Sequence, residues 1–213
     1  MRLSRAIVLS RALELLDEAG LEALTMRKLA TALDVHVGAL YWHFDDKKAL
    51  LDAMAEEILS GIAAPDPSLE WRARLTGLAG ALRQAMCSRR EGARLVAGTF
   101  VVQPNTLRTG RALTDTLLDA GVVPERAPTL AFALFYYVLG HTIEEQARDS
   151  IPHESFEAML SEAEAEAARA GEDPDTSLRA MYAVDAGERF FSGLNVFLDG
   201  LAAEGAQRPH RPS

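Results

Sequence analysis

The residue types best placed to do chemistry lie within the first 48 positions. Thr25 and Arg27 open one short helical pattern, and His36-Val37-Gly38-Ala39 opens the next, which closes on Tyr41-Trp42-His43. Lys47 begins a further one. A guanidinium can bond a guanine edge in two places, worth about 1–3 kcal/mol of base discrimination, and His36 is a weaker reader of the same kind. A lysine at the start of a helix, beside backbone N–H groups, suits a phosphate oxygen. Tyr41 and His43 read as duplex contacts. For Trp42 two readings stand, a side chain packed in the core of this head or a contact to the duplex backbone.

Bond-making chemistry is not legible. There is no Ser/His/Asp constellation, no phosphate-cradling glycine loop, no metal cluster and no paired carboxylates with an evident partner. His141 and Glu144, at i and i+3 of one helical pattern, read as a hydrogen-bonded pair more simply than as metal ligands. His153 and Glu154, beside Pro152, read as solvated loop residues, and Cys87 as a buried thiol within a helix. No catalytic residue and no cofactor is expected. An all-α enzyme and a protein-binding adaptor remain as alternatives, separable from a DNA-binding protein by sequence-selective, salt-sensitive duplex binding.

Composition bounds the elements that must position these residues. The chain has 213 residues, 48% hydrophobic and 25% charged, with mean hydropathy −0.01. That is ordinary globular composition, enough for one large or two small domains. A single cysteine excludes a disulfide framework and fits a reducing cytoplasm. The charged N-terminal stretch does not read as a signal peptide or membrane anchor. The uncharged run 127–143 is short for a bilayer and reads as a buried helix. The net charge of −9 argues against a nucleic-acid partner until the chain is divided. Residues 1–48 hold seven basic and seven acidic side chains, so the whole excess of negative charge lies beyond them. A neutral head with placed cations on an acidic body confines duplex contact to the head.

Strand signals are nearly absent, and the periodicity of 3.6 predicts an all-α protein. Helices are expected at 4–19, with Ala6, Leu9, Leu13 and Leu16 on its apolar face, at 26–33, 37–43 and 47–63, capped in turn by Ser4, Thr25 and Asp45 or Asp46. AAPDPS (63–68) is the clearest linker. Further helices are expected at 70–87, 91–98, 106–120, 124–148, 155–170 and 181–203. A long helix, then two short ones joined by a tight turn, form a helix-turn-helix pattern whose third helix can enter a major groove about 12 Å wide. The domain reading is a head at 1–48, a connecting helix and linker at 49–66, a C-terminal helical domain at 67–206 and a disordered tail at 207–213. The apolar helix 127–143 and the Phe190, Leu194, Phe197, Leu201 stripe need cover on more than one side. A second copy of the chain would supply it, and a homodimer would also set two reading helices about 34–36 Å apart.

The segment LTMRKLATALDVHVGALYWHFDDKKALLDAM (24–54) resembles the DNA-binding head of the tetracycline-repressor (TetR) family, and REGARLVAGT (90–99) and GHTIEEQ (140–146) resemble segments of its tetracycline-repressor subgroup. The resemblance implies an N-terminal three-helix helix-turn-helix head and a C-terminal ligand-binding and dimerisation domain, in a cytoplasmic homodimer that leaves operator DNA when a small molecule binds. It places duplex contacts at Thr25, Arg27, His36, Val37, Gly38, Ala39, Tyr41, Trp42, His43 and Lys47. Where the subgroup has Gln-Pro-Thr this chain has Val37-Gly38-Ala39, so a different operator is expected.

The subgroup's magnesium–tetracycline site is not kept. Its metal-ligand histidine corresponds to Val96, its asparagine to Leu78, its phenylalanine to Leu82, its glutamine to Leu113 and a second histidine to Ala63, while Thr99 and Glu144 match. Val96 offers magnesium no donor. The resemblance therefore implies a mostly apolar pocket lined by Leu78, Leu82, Met86, Val96, Thr99, Leu113, Phe132, Phe135, Tyr136, Leu139 and Glu144. Thr99, Tyr136 and Glu144 are its polar members, because polar groups inside a bundle need partners.

Overall fold

The computed structural model describes residues 3–99, 102–171 and 177–206. Among them it holds eleven α-helices and no strand, as the all-α reading expects. Contacts divide the described residues into two compact units, one ending at Ile143 and the other starting at Glu144.

The first unit begins with α1 (Arg5–Ala19), α2 (Met26–Ala32), α3 (Val37–Tyr41) and α4 (Lys47–Ile58). Each expected cap is made: the Ser4 hydroxyl accepts the Ile7 N–H at 3.3 Å, and Thr25 accepts that of Lys28 at 3.2 Å. Of the two candidates for α4, Asp46 caps, accepting the Ala49 N–H at 2.7 Å. Such caps are worth about 1 kcal/mol each. The buried face of α1 differs from expectation: Val8, Ala12, Leu13 and Leu16 are buried, Leu9 is half-buried and Ala6 exposed. Alanine is small enough to sit on either side of a helix, so it marks a face poorly. Helix α3 is two residues shorter than expected, because the His43 and Phe44 N–H groups both fold back onto the Leu40 carbonyl. Leu16, Leu24, Leu29, Leu40, Phe44, Leu50 and Met54 are fully buried, each large apolar side chain contributing about 1.5–3 kcal/mol.

Helix α4 ends in a 3-10 turn, Leu59–Gly61, short of the expected position 63. Beyond the linker come α5 (Trp71–Cys87), α6 (Gly92–Ala97), α7 (Pro104–Asp119) and α8 (Ala127–Asp149). α5 packs on α6 and α7, and α4 on both as well. Gly92 starts α6 so close to α5 that a Cβ would stand 2.3 Å from the Met86 carbonyl oxygen. Cys87, expected buried, is exposed at the end of α5. Helix α8 buries Ala127, Ala131, Leu134, Val138 and Thr142 only. Phe132 and Tyr136 are 54% and 61% exposed, so the run 127–143 is buried on one face rather than throughout.

The second unit contains the end of α8, then α9 (His153–Ala170), α10 (Ser177–Ala183) and α11 (Ala186–Ala206). His153 and Glu154 are exposed but lie in the first turn of α9, not in a loop. Arg179 donates to Glu157 at 2.6 Å and Glu164 at 2.9 Å, which holds the Glu164 carboxyl below its ordinary range. Phe156 lies under the Arg148 guanidinium and edge-on to Tyr182. The single helix expected at 181–203 is broken in two. Asp185 accepts the Gly187 and Glu188 N–H groups at 2.8 and 3.1 Å and so starts α11 afresh. On α11 the buried positions are Phe190, Leu194, Leu198 and Leu201, with Phe197 half-buried and Phe191 and Val196 exposed. The tail 207–213 lies outside the described residues.

Candidate nucleic-acid interface

The positive charges of the head fall into two groups. Arg5 donates to the His43 carbonyl at 2.6 Å and lies over the Phe44 ring. Arg11 pairs with Glu14 and Glu18, and Lys48 with Asp52 at 2.6 Å. These cations serve the fold. Arg27 and Lys28, in the first turn of α2, and Lys47, at the first position of α4, are exposed, and no acidic side chain neutralises them among the described residues.

The ten positions singled out from the sequence, Arg27 and Lys47 among them, are all exposed or half-buried. Thr25, His36, Val37, Gly38, Tyr41 and Trp42 are exposed, Ala39 and His43 half-buried. The core reading of Trp42 is excluded: its side chain is 89% exposed, and Leu40 and Phe44 on either side fill the interior instead. Val37 and Gly38, exposed at the start of α3, offer a methyl surface and a close approach. Lys28 was not singled out by the sequence reading. The signal that would have found it is its adjacency to Arg27 in a capped first turn, where both side chains point away from the buried Met26 and Leu29.

The head is joined to the helices behind it through polar contacts. Asp17, near the end of α1, accepts the Arg89 guanidinium at 2.7 Å and the Arg90 N–H at 3.0 Å, and Arg90 donates to the Glu18 carbonyl at 3.3 Å. A cation on the last carbonyls of a helix also faces the negative end of its dipole. Gly20 is left-handed here (φ +81°), and a Cβ on it would meet Glu91 Oε1 at 2.6 Å.

Of the eleven residues expected around a ligand, Leu78, Leu82 and Met86 on α5, Val96 on α6 and Leu113 on α7 are buried where these helices pack. Thr99 is half-buried, its hydroxyl donating to the Val96 carbonyl at 3.0 Å. Phe135 and Leu139 are half-buried. Phe132, Tyr136 and Glu144 are exposed, so the premise that Tyr136 and Glu144 are polar groups inside a bundle does not hold within one protomer. The hydroxyls buried there are Thr109, Thr116 and Thr142, each satisfied by a carbonyl four residues earlier. An open cleft of about 330 Å³ lies between Leu13, the end of α4 and α5, and none of the eleven residues lines it. No group of three potential metal ligands occurs among the described residues.

Two family models match: residues 8–54 match the bacterial regulatory proteins of the tetR family, and residues 64–204 the tetracyclin repressor-like C-terminal domain. The chain belongs to the TetR family. Among its relatives is the class A tetracycline repressor from transposon 1721 of Escherichia coli, 37% identical over 92% of this chain and 88% of that one. A possible TetR-family transcriptional regulator from Streptomyces coelicolor A3(2) superposes with a TM-score of 0.82 at 38% identity, over 94% and 99% of the two chains. BioQ, solved with its double-stranded DNA operator, superposes with a TM-score of 0.71 at 32% identity, over 95% and 99%. This TetR-family protein is thus a ligand-responsive, DNA-binding transcriptional repressor. Regulators of this family are not enzymes. No helix among the described residues is long and apolar enough to cross a membrane.

Proposed function

We propose that this regulator grips its operator as a homodimer through Thr25, Arg27, His36, Val37, Gly38, Ala39, Tyr41, Trp42, His43 and Lys47, and is released by a small, largely apolar molecule that is not magnesium–tetracycline. The observation that supports the DNA-binding surface is that Arg27, Lys28 and Lys47 of the head are exposed without an acidic partner among the described residues, and that the rings of Tyr41 and Trp42 at the end of the third helix are exposed as well. The similarity to BioQ, solved with its double-stranded DNA operator, supports operator DNA as the partner. Residues 1–48 act as the DNA-binding head, 49–66 as connecting helix and linker, and 67–206 as the ligand-binding and dimerisation domain. In the first unit Phe132 and Tyr136 of α8, and in the second Phe191 and Val196 of α11, are exposed apolar side chains that a second copy would cover. The protein acts in the cytoplasm, where operator DNA lies.

Several relatives carry the name tetracycline repressor, but the donor set argues against that ligand here. Val96, Leu78, Leu82 and Leu113 are buried hydrocarbon, and magnesium requires oxygen or imidazole donors. Ligand entering among α5, α6 and α7 displaces the segment 90–98, which bears on α4, and α4 then swings the heads out of groove register. Such a ligand must favour the released state, since equal affinity for both would shift nothing. The test is selection of bound duplexes from a random pool, then a screen of small molecules against the winning complex. Enrichment of one symmetric sequence, released by an apolar compound, supports the proposal; no enrichment overturns it.

A further inference from the structure

Helix α4 carries a carboxylate that is engaged by another helix and that the reading above leaves without a role. Glu56, half-buried, lies against the first turn of α7. Its Oε1 accepts the Asn105 N–H at 2.5 Å, and its Oε2 accepts the Thr106 N–H at 3.2 Å and the Thr106 hydroxyl at 3.1 Å. The Asn105 side-chain amide returns a bond to the Glu56 carbonyl at 3.1 Å.

Helix α7 has no capping side chain of its own. Gln103 occupies the cap position without making a side-chain bond, and Pro104 at the first position has no N–H to satisfy. The Leu107 N–H is already bonded to the Gln103 carbonyl. The donors left over in that turn are those of Asn105 and Thr106, and both go to Glu56. An N-cap is ordinarily local. This one comes from a helix 49 residues earlier in the chain, the same helix that leads out of the head.

The physical consequence is directional. Apolar packing, such as that of α6 on α4, tolerates small sliding. Two bonds to successive N–H groups do not, so α4 cannot turn relative to α7 without uncapping it. We propose that Glu56 is a positioning residue for the regulatory response, passing displacement between α7 and the head-bearing helix α4 through this shared cap. The proposal rests on the DNA-binding reading above. Coupling of this kind is reciprocal: DNA held by the head must alter how readily the first turn of α7 opens.

The experiment uses the full chain and the duplex that the wild-type protein selects from a random pool, with amide hydrogen exchange at Asn105 and Thr106 read with and without duplex. In the wild type, duplex should change that exchange by about fivefold or more. Glu56→Gln puts an NH2 group against donors, so it should lose the duplex-dependent change and, by the same reciprocity, shift duplex affinity by up to about fivefold. Thr106→Val, which removes one of the three donors, should retain part of it. A cap that is only structural gives faster exchange in Glu56→Gln with the duplex-dependent ratio intact, and that result overturns the proposal, as does a wild-type α7 that ignores duplex. If Glu56→Gln does not fold, Thr106→Val decides alone, an unchanged ratio counting against it. A protein that selects no duplex fails the DNA-binding reading instead, a distinguishable outcome.

Discussion

Asp17 takes the Arg89 guanidinium at 2.7 Å, binding the last turn of the head's first helix to the turn between α5 and α6. The backbone N–H of Arg90 shares the same carboxylate, so the contact is two-pronged. Both side chains of the pair are more than a third exposed, and solvent screening limits such a pair to about 1 kcal/mol or less. Asp17→Asn and Arg89→Ala should therefore each lower the melting temperature by only about 2–4 °C. The double variant should lose less than the sum, because both remove one interaction. Thermal denaturation of the four proteins checks this, and strict additivity would contradict the contact.

Arg27 and Lys47 separate two kinds of duplex contact. Arg27→Ala should erase the preference for the selected duplex over a scrambled one while leaving the fold and dimer intact. Lys47→Ala should weaken binding to both alike and reduce the slope of log affinity against log salt by about one. Gel-shift titrations at several salt concentrations read both, and a change of base preference in Lys47→Ala would rule out a phosphate role.

Trp42 tests the surface directly. At 89% exposure its replacement by Ala should leave stability within about 0.5 kcal/mol and still weaken duplex binding. Leu40→Ala, two residues away and fully buried, should cost about 2–5 kcal/mol. Chemical denaturation paired with the gel shift distinguishes them; a large stability loss in Trp42→Ala would place the ring inside the fold.

What the sequence made legible follows from which signals are local. Ser4, Thr25 and the Asp45-Asp46 pair announce their helices because a cap acts within three residues, and the long helix followed by two short ones joined by a tight turn marked the head. Trp42 was undecidable because a helix of two turns or fewer has too little periodicity to assign a face to the residues at its end. Asp185, a cap of the same kind as Asp46, went unread since helix-forming residues stand on both sides of it. Glu56 was out of reach altogether: its partners are 49 and 50 residues away, and no local pattern marks a cap supplied by another helix. For the ligand positions, burial of Leu78, Leu82 and Leu113 agrees with either a pocket wall or plain core, while Phe132 and Tyr136 lie on a face that one protomer does not cover.

The loss of metal donors at Val96 has a simple outcome. Magnesium with tetracycline at micromolar concentration should leave the protein–duplex complex intact, as followed by fluorescence anisotropy of a labelled duplex. Release would show that donors other than the residue at position 96 hold the chelate.

The central claim, two heads held at a fixed separation by a shared apolar seam, is tested most directly by sedimentation of the full chain alone and on its selected duplex. The account predicts a dimer in both, with two chains on one duplex whose half-sites lie about 34–36 Å apart. A single chain at working concentration, or one chain per duplex, would contradict it.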